Sequence, residues 1–320
     1  MKISKTRMLI SAAMLAVSSY SMAASSTLNV VVPFPPGGGS DYVTRLLADK
    51  LQTPAEVTVV ENRSGANGML GAEYVARQNN SDSTLLVTTD GVITVNPELY
   101  KNNPFDPRKK LTALATVTDS PSVLVVPKAS PIRSVTDFVE RGHRTELKYA
   151  SGGVGSAGHL TMAYFADVAG LKMLHVPFKG GSPAMAALMG GYVDGAFVLL
   201  ASAISQIQQG LLRPLAVSSA HRMPQLPDVP TMEELGYKGF LVSTRHVVMA
   251  SAKMSNARQH ELSDRILKIT QDTDFQRKME RQGQAVVEDF GPHKTTEWLA
   301  AQYADWSKFI EQHKIGISEN

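Results

Sequence analysis

Hydrophobic positions along this chain alternate between short apolar runs and spaced apolar sets. Residues 30–32 are all valine, which predicts a strand buried on both of its faces. Three prolines and three glycines follow within residues 33–39 and end that strand in a loop. Val43, Leu47 and Leu51 then recur at helical spacing. The first unit is therefore a strand, a Gly-rich loop and a helix.

The same alternation continues to the C-terminus. Further strands are predicted at residues 57–61, 84–88, 114–117, 123–126, 147–150, 173–176, 195–199, 215–217 and 241–250. Helices are predicted from 65–68 onward, and at 135–141, 160–168, 183–188, 202–208, 256–272, 274–282 and 294–312. Strand–helix alternation of this length predicts two α/β sheets.

A crossing between two domains is predicted near Pro127. One domain then comprises residues 24–126 and 243–320, with the tail helices packed on it, and the other comprises residues 127–242. Residues 223–230 are too rich in proline for a strand or helix period and predict an extended connector.

The N-terminus has the pattern of a secretory signal peptide. Lys2, Lys5 and Arg7 precede an apolar run at 8–17, and residues 21–23 are small-x-small, so cleavage is expected after Ala23. The apolar run is shorter than the roughly 20 residues of a membrane-spanning helix. We therefore predict a soluble, exported, periplasmic protein of about 297 residues.

Net charge excludes some partners. Removal of the three basic residues lowers Lys plus Arg from 32 to 29, equal to the 29 acidic residues. Nucleic acid and anionic membrane surfaces therefore lose their electrostatic basis as partners. The chain has no Cys, so disulfides contribute nothing to the prediction of export.

The first Gly-rich loop is a candidate anion site. Ser40 and Asp41 supply N-cap chemistry for the helix that follows Gly37, Gly38 and Gly39. Glycines let an oxyanion approach the free N–H groups of a helix N-terminus, which carries about half a positive charge. We predict that an anion binds there.

The second Gly-rich loop, SGGVGSAGH at residues 151–159, leaves two classes of protein open. Gly153, Gly155 and Gly158 match the dinucleotide fingerprint G-x-G-x-x-G after a strand and before a helix. The next strand carries no acid for a ribose, and only Lys179 could meet a 2′-phosphate, so an NADP-linked oxidoreductase is the alternative. Two Gly-rich loops at the carboxyl ends of parallel strands fit better with two domains that close on one small anion.

Other chemistry has little support in the sequence. There is no nucleotide P-loop motif, no nucleophile elbow and no pair of histidines at metal-binding spacing. His159, in the first turn of a helix beside the second loop, is the one histidine with a candidate ligand role. We predict no catalytic residue, no metal and no cofactor.

Five segments in order resemble a known receptor family. They are VVPFPPGGGSDYVTRLLADKLQ, VTVVENRSGANGMLGAEYVA, LKYASGGVGSAGHLTMAYF, MLHVPFKGGSPAMAALMGGYVDGAF and LRPLAVSSAHRMPQLPDVPTMEELGY. This order resembles the Bug family, the periplasmic solute-binding receptors of tripartite tricarboxylate transporters. The resemblance implies a two-domain periplasmic-binding-protein fold, type II-like, with a ligand cleft between the domains. It also implies delivery of a small carboxylate to a membrane permease.

The resemblance also implies the ligand-binding residues. In the family, backbone and hydroxyl groups of the two Gly-rich loops hold a ligand carboxylate. By position these residues are Pro36, Gly37, Gly38, Gly39, Ser40, Asp41, Ser151, Gly152, Gly153, Gly155, Ser156 and His159. For Asp41 three roles stay open: holding the loop, orienting a water, or accepting from a ligand hydroxyl or ammonium.

Two segments depart from the family pattern. After VDGAF the chain continues with Val198, Leu199 and Leu200 where the family commonly has a polar residue. In the strand at 241–250, Arg245 stands where the family has aromatic character, and it either pairs with a second ligand carboxylate or is a solvated strand-end charge. Trp298 and Trp306 are interpreted as core or half-buried anchors.

We therefore predict a receptor, not an enzyme, that binds a mono- or dicarboxylate as a monomer and delivers it by domain closure. Besides the NADP-linked enzyme, a third possibility is a receptor whose ligand signals to a sensor instead of being transported.

Overall fold

Strands and helices alternate along nearly the whole chain, as predicted. The computed structural model describes residues 26–79, 81–100, 103–313 and 315, and the predicted signal peptide lies outside them. The strands are β1 (Ser26–Val32), β2 (Glu56–Asn62), β3 (Thr84–Thr89), β4 (Leu111–Pro127), β5 (Leu147–Ser151), β6 (Met173–Pro177), β7 (Ala196–Leu199), β8 (Leu212–Val217), β9 (Ser243–Ser251) and β10 (Ala285–Val286).

Helices connect these strands. In chain order they are α1 (Gly39–Leu51), α2 (Met69–Ala76), α3 (Gly91–Thr94), α4 (Asn96–Leu99), α5 (Pro107–Lys110), α6 (Val135–Arg144), α7 (Ala157–Val168), α8 (Gly181–Met189), α9 (Leu200–Gln208), α10 (Asn256–Thr270), α11 (Thr273–Arg281) and α12 (Pro292–Gln312). Two single 3₁₀ turns, Ala66–Gly68 and Ser81–Ser83, precede α2 and β3.

The first sheet has the strand order β10-β4-β9-β3-β1-β2. β1 pairs in parallel with β2 and β3, and β9 runs antiparallel to both β3 and β4. Val30, Val31 and Val32 are fully buried because helices cover both faces. One face packs on α1, α10 and α11, and the other packs on α2 and α12. The all-valine run was therefore interpreted correctly as an interior strand.

β4 is one strand of 17 residues, not the two strands that the sequence predicted. Residues 111–121 pair with β9, whereas residues 122–127 lie between β7 and β8. Pro121 lacks an N–H for a ladder hydrogen bond, and it lies where β4 changes partners. The partner change therefore falls before the predicted crossing near Pro127, and the domain bounds themselves stay a prediction.

The second sheet is built around the far end of β4. β7 and β8 flank it in antiparallel fashion, and β5 and β6 form a parallel pair. A bridge between Tyr149 and Gly195 joins this pair to the β7 side. α8 and α9 cover one face, and α6 and α7 cover the other. Both halves are therefore three-layer α/β units.

A serine joins the two segments that connect the sheets. The Ser122 N–H donates to Ser218 Oγ at 2.9 Å, and the same hydroxyl donates to the carbonyl of Val242. Ser218 thus fixes the end of β8 against the start of the return to β9. This connection lies beside the cavity described below.

The tail helices pack on the first sheet, as predicted, through Leu262, Ile266 and Phe275 of α10 and α11. The end of α12 also reaches the other half, because Ile310 packs against Leu160 of α7. Among the described residues, no helix combines the length and apolar character needed to cross a membrane.

Candidate functional site

A cavity of about 550 Å³ is lined by residues from both halves of the molecule. The first turns of α1, α7, α8 and α9 all contribute to its wall. The lining residues at these helix starts include Gly38, Gly39, Ser40, Ser156, Ala157, Gly158, Gly180, Gly181, Ser182, Leu199, Ala201 and Ser202. A helix N-terminus offers free N–H groups and a partial positive charge. Their convergence makes the wall suited to an anion.

The first Gly-rich loop is held in place by a carboxylate that does not line the cavity. Asp41 Oδ2 accepts from the Gly37 N–H at 3.0 Å, and Gly37 has the positive φ of +81° that glycine tolerates. Arg45 Nε donates to the same oxygen at 2.9 Å, and Asn62 Nδ2 donates to Oδ1 at 2.9 Å. Of the three roles left open for Asp41, the contacts are those of loop holding.

Electrostatics agree with that role. Burial by itself would raise the pKa of the Asp41 carboxyl, but hydrogen bonds from Arg45, Gly37 and Asn62 outweigh it and keep the pKa below its ordinary value.

The prediction of N-cap chemistry from Ser40 and Asp41 is wrong. Gly38 is the N-cap residue and has no capping side chain, because Asp41 reaches back to the loop instead.

Ser40 belongs to a buried relay of hydrogen bonds. Its Oγ lies 3.0 Å from His246 Nε2, and the other ring nitrogen, Nδ1, lies 2.9 Å from Thr118 Oγ1. Thr118 in turn donates to Gln284 Oε1 at 2.8 Å. Burial lowers the pKa of His246 to about 4, so its imidazole is neutral at pH 7 and carries one N–H. Both ends of the relay, Ser40 and Gln284, line the cavity.

The second Gly-rich loop is held by uncharged imidazoles. His159 Nδ1 accepts from the Gly155 N–H at 3.0 Å, and Ser151 Oγ lies 2.6 Å from His175 Nε2. The two histidine rings stack with centroids 4.1 Å apart, and His175 stacks on Tyr149 at 4.8 Å.

Both imidazoles of this stack are neutral at pH 7. Burial lowers the pKa of His159 to about 3, with a further contribution from His175, and burial lowers the pKa of His175 to about 4. Neutrality is what lets His159 Nδ1 accept the Gly155 N–H. His159 therefore positions the loop and is absent from the lining residues.

Asp90 is the acidic residue of the cavity wall. It is 5% exposed, and its Oδ1 accepts from the Arg245 N–H at 3.1 Å. Burial, with a smaller contribution from the nearby Asp119, raises the pKa of this carboxyl to about 7 although the hydrogen bond from the Arg245 N–H lowers it. Among the lining residues that the structure describes there is no Lys, Arg or His.

Arg245 does not line the cavity, in contrast to its predicted place in the site. Its Nε donates to Asp119 Oδ2 at 3.0 Å, and its guanidinium lies 4.3 Å from the centre of the Trp298 ring. Successive side chains of a strand point to opposite faces, and Thr244 takes the cavity face of β9. The guanidinium therefore pairs with Asp119 on the face of β9 opposite the cavity, and this placement does not support a role for Arg245 in binding a second carboxylate.

The predicted site residues divide into two groups. Gly37, Gly38, Gly39, Ser40, Ser151, Gly152, Gly155 and Ser156 line the cavity. Pro36, Asp41, Gly153, His159 and Arg245 are outside the lining. Asp41 and His159 each hold a loop from which glycine and serine residues line the wall. The two Gly-rich loops thus meet at one cavity.

Sequence reasoning predicted the helices α8 and α9 but did not assign their N-termini to the site. The segment Lys179–Ser182, KGGS, carries a Gly pair before a helix, which is the same signal as in the recognised loops. The start of α9 follows the apolar Val198 and Leu199, so its sequence offers no polar signal. Gln284, which lines the cavity at the far end of the relay from Ser40, was also missed. No motif or spacing in the neighbouring sequence marks it as a site residue.

Part of the cavity wall is apolar. Phe34, Met185 and Trp306 are among its residues, and Val198 and Leu199 line it where the family commonly has a polar residue. Trp306 is therefore a cavity residue and not only the packing anchor that was predicted. An apolar wall beside helix N-termini suits a small anion with a hydrocarbon portion.

Metal chemistry has no counterpart in this geometry. Within the part of the chain that the structure describes, no three His, Asp or Glu side chains are grouped so that they could hold a metal ion. Lys179, the residue that kept the NADP alternative open, is not among the cavity residues.

Comparison with known proteins identifies the class. Residues 43–315 match the model of the tripartite tricarboxylate transporter family receptor, TctC, and this chain belongs to that family. The chain is 31% identical over 304 residues to a UPF0065 protein from the tcbD-tcbE intergenic region of Pseudomonas sp. strain P51. That match covers 92% of this chain and 88% of the relative.

Solved structures agree on the fold. The periplasmic binding protein BugD has a TM-score of 0.85 and 30% identity over 91% of this chain and 99% of its own. Rpa4515 of R. palustris, solved with adipate, has a TM-score of 0.87 and 27% identity over 92% of this chain and 99% of its own. The predicted Bug-family membership and two-domain solute-binding fold are confirmed. Proteins of this family are solute-binding receptors, which are not enzymes.

Proposed function

We propose that this chain is a periplasmic receptor that binds a small carboxylate between its two Gly-rich loops and delivers it to a tripartite tricarboxylate transporter. The observation that carries this proposal is the convergence of four helix N-termini on one cavity. Each terminus supplies unpaired N–H groups and a partial positive charge. A carboxylate satisfies those donors without a cationic side chain.

The composition of the lining supports a carboxylate of modest size. No Lys, Arg or His stands among the described lining residues, so the anion is balanced by backbone dipoles. Phe34, Met185 and Trp306 offer apolar surface to the rest of the ligand. Adipate, held by the related Rpa4515, combines the same two properties.

Contacts between the two halves of the molecule support domain closure. A Cβ built on Gly155 would lie 2.0 Å from Leu99 Cδ1, and one built on Gly180 would lie 3.4 Å from Pro35 Cγ. Residues of the two halves therefore touch across the cavity. We propose that the unliganded protein opens about the two segments that connect the sheets, at Ser122 and Val242, and that the ligand stabilises the closed form. Small-angle scattering should show compaction when a ligand is added, and identical curves at saturation would contradict closure.

A thermal-shift screen with C4 to C6 mono- and dicarboxylates tests the binding function. A ligand at ~100 times its Kd adds about 2.7 kcal/mol to the stability of the folded state, which raises Tm by several degrees. Gly38→Val is the matched variant, because its Cβ would meet only Pro35 O at 3.8 Å. It should fold as the wild type does and bind carboxylates at least roughly tenfold more weakly. Failure of every carboxylate to shift Tm would refute the proposal.

Delivery to a permease needs a test in cells. A strain without this receptor should lose uptake of the identified ligand, and the full-length gene with its signal sequence should restore it. Cleavage after Ala23 and a monomeric state are part of the same proposal and can be read from the mass and the elution volume of the exported protein. Uptake that is unaffected by deletion, together with a ligand-dependent transcriptional response, would favour the sensor function.

A further inference from the structure

We propose that Gln284 is a specificity-determining residue whose side-chain amide donates to a second acceptor oxygen on the ligand, at the end away from the first carboxylate. This inference rests on the proposed carboxylate-binding function and names the class of ligand more narrowly. The ligand is a small carboxylate that carries another hydrogen-bond-accepting oxygen.

The amide nitrogen of Gln284 is a buried donor without a protein partner. The residue is 1% exposed, it lines the cavity, and its Nε2 has no hydrogen-bond partner among the described residues. Buried polar atoms are nearly always paired, and leaving one unpaired costs about 1–3 kcal/mol. A donor held in this way at a cavity wall is matched to an acceptor in the cavity.

The relay holds the other end of the Gln284 side chain. Thr118 has one hydroxyl proton, and it donates that proton to Gln284 Oε1 at 2.8 Å. Thr118 can therefore only accept from His246, so Nδ1 carries the imidazole proton and Nε2 accepts from Ser40. The oxygen of Gln284 is committed to the protein, and the nitrogen remains for a ligand.

The position of Gln284 separates it from the first carboxylate site. Ala285, the next residue, pairs with Asp119 of β4, which pairs with Arg245 of β9. Gln284 therefore lies at the edge of the first sheet on the β10 side, and three hydrogen bonds and an imidazole lie between it and Ser40. A ligand that reaches both places needs acceptors at both of its ends.

A neutral amide N–H donates a hydrogen bond to an oxygen whether or not that oxygen carries a charge. An amide carbonyl and a second carboxylate share this acceptor chemistry. No cationic side chain stands at the wall among the described lining residues, and the one acidic lining residue, Asp90, accepts from the Arg245 N–H of β9. The experiment therefore includes one ligand series for each kind of oxygen.

Three series matched in chain length provide the test. Butyrate, valerate and hexanoate end in methyl groups. Succinamate, glutaramate and adipamate replace that end by an amide, and succinate, glutarate and adipate replace it by a carboxylate. Isothermal titration calorimetry on the wild type should show at least one polar-ended compound bound roughly tenfold more tightly than its methyl-ended partner. The polar-ended series with the larger gain in affinity over the methyl-ended series shows whether the second acceptor of the ligand is an amide oxygen or a carboxylate oxygen.

Two variants of Gln284 separate loss of the donor from loss of the fold. Gln284→Leu removes both amide atoms, whereas Gln284→Glu keeps an oxygen for Thr118 and removes the N–H. Both should abolish the preference for polar ends while methyl-ended ligands keep their affinity, and Gln284→Glu should weaken carboxylate ends most. Gln276→Leu is the control, because the Gln276 amide bonds the Thr270 carbonyl and Glu288 outside the cavity.

Melting curves and circular dichroism of the unliganded variants establish folding before affinities are compared. A preference for polar ends that persists in either folded variant, or equal affinities for all three series in the wild type, would overturn the role of Gln284 and leave the receptor function intact. If no carboxylate of any series binds to the wild type, the proposed function fails and this inference fails with it.

Discussion

The two Gly-rich loops present backbone N–H groups to the same cavity but are held by opposite chemistry. The first loop is fixed by a carboxylate, Asp41, with a guanidinium and an amide as further partners. The second is fixed by neutral imidazoles, His159 and His175, stacked inside the protein. Neither anchoring set lines the cavity. An anion site can thus be positioned by charge or by uncharged rings, provided that the anchor leaves the backbone donors free.

The difference has a physical consequence. An ionised carboxylate with three donors keeps its strength across neutral pH, and its contribution declines only in acid. A neutral imidazole that accepts a hydrogen bond at Nδ1 loses that bond when it is protonated. Because histidine in the unfolded chain binds a proton below pH ~6.5, acid should reduce the stability contributed by the second loop's anchor at a higher pH than that contributed by the carboxylate of the first loop.

Acid should produce the largest change. The pKa values of His159 and His175 lie at about 3 and about 4 in the folded protein, below the ordinary value of 6.5. Between these folded values and pH 6.5, the unfolded chain therefore binds more protons than the folded protein does. Their stabilisation is complete above pH ~6.5 and is lost as the pH falls, up to about 2 kcal/mol at pH 5 for His159 and less for the more exposed His175, whose shift solvent screens. The buried His246, whose pKa is also about 4, adds to the fall, whereas Asp90, whose pKa is raised to about 7, opposes it, so denaturant unfolding at pH 7 and pH 5 measures the net change.

The variant His159→Phe isolates the contribution of His159 to this pH dependence. The variant should be less stable at pH 7, because Gly155 loses its acceptor, but its stability should fall by about 2 kcal/mol less between pH 7 and pH 5. His143→Gln, which removes an exposed imidazole on α6, is the control and should keep the wild-type fall. An unchanged pH dependence in His159→Phe would refute the neutral-imidazole anchor.

Loss of Asp41 should come next in size. Asp41→Ala leaves the Gly37 N–H and the Asn62 amide without their acceptor, and we expect about 2 kcal/mol of destabilisation at pH 7. Asp41→Asn keeps an acceptor oxygen but not the charge and should cost about half as much. Urea unfolding with an unchanged m value measures both, and equal stability of Asp41→Ala and the wild type would remove Asp41 as the anchor.

A Cβ should affect the two loops differently. Gly155 has φ +78°, and its Cβ would lie 2.0 Å from Leu99 Cδ1 of the other half, so Gly155→Ala should cost about 1 kcal/mol and hinder closure. We expect roughly tenfold weaker ligand binding by calorimetry. Gly38→Ala has only an ordinary 3.8 Å contact and should keep wild-type stability. Equal stabilities of the two variants would contradict this contrast.

Arg45→Ala should have the smallest effect. The Arg45 side chain is 53% exposed, and Asp41 keeps its bonds to Gly37 and Asn62 without it. Exposed ion pairs contribute about 0–1 kcal/mol and are screened by salt. The difference from the wild type should therefore stay below about 1 kcal/mol and shrink at 1 M NaCl. A larger, salt-independent loss would show that Arg45 shares the anchoring role of Asp41.

Local pattern in the sequence determined most of the elements and both Gly-rich loops. The valines at 30–32 predicted an interior strand because only a strand covered on both faces buries such a run. Glycines before a helix predicted open N–H groups because that geometry depends on neighbouring residues alone. The family resemblance followed from the order of these same segments.

Tertiary structure alone decided which residues meet at the cavity. Ser40 and His246 are 206 positions apart, and Thr118 and Gln284 are 166 apart, so no periodicity marks their relay. Arg245 is turned from the cavity by the face of β9 on which it falls and by its ion pair with Asp119. The pattern of a sequence records how a segment buries its own surface, whereas the partners of a buried polar group are fixed only when distant segments pack together.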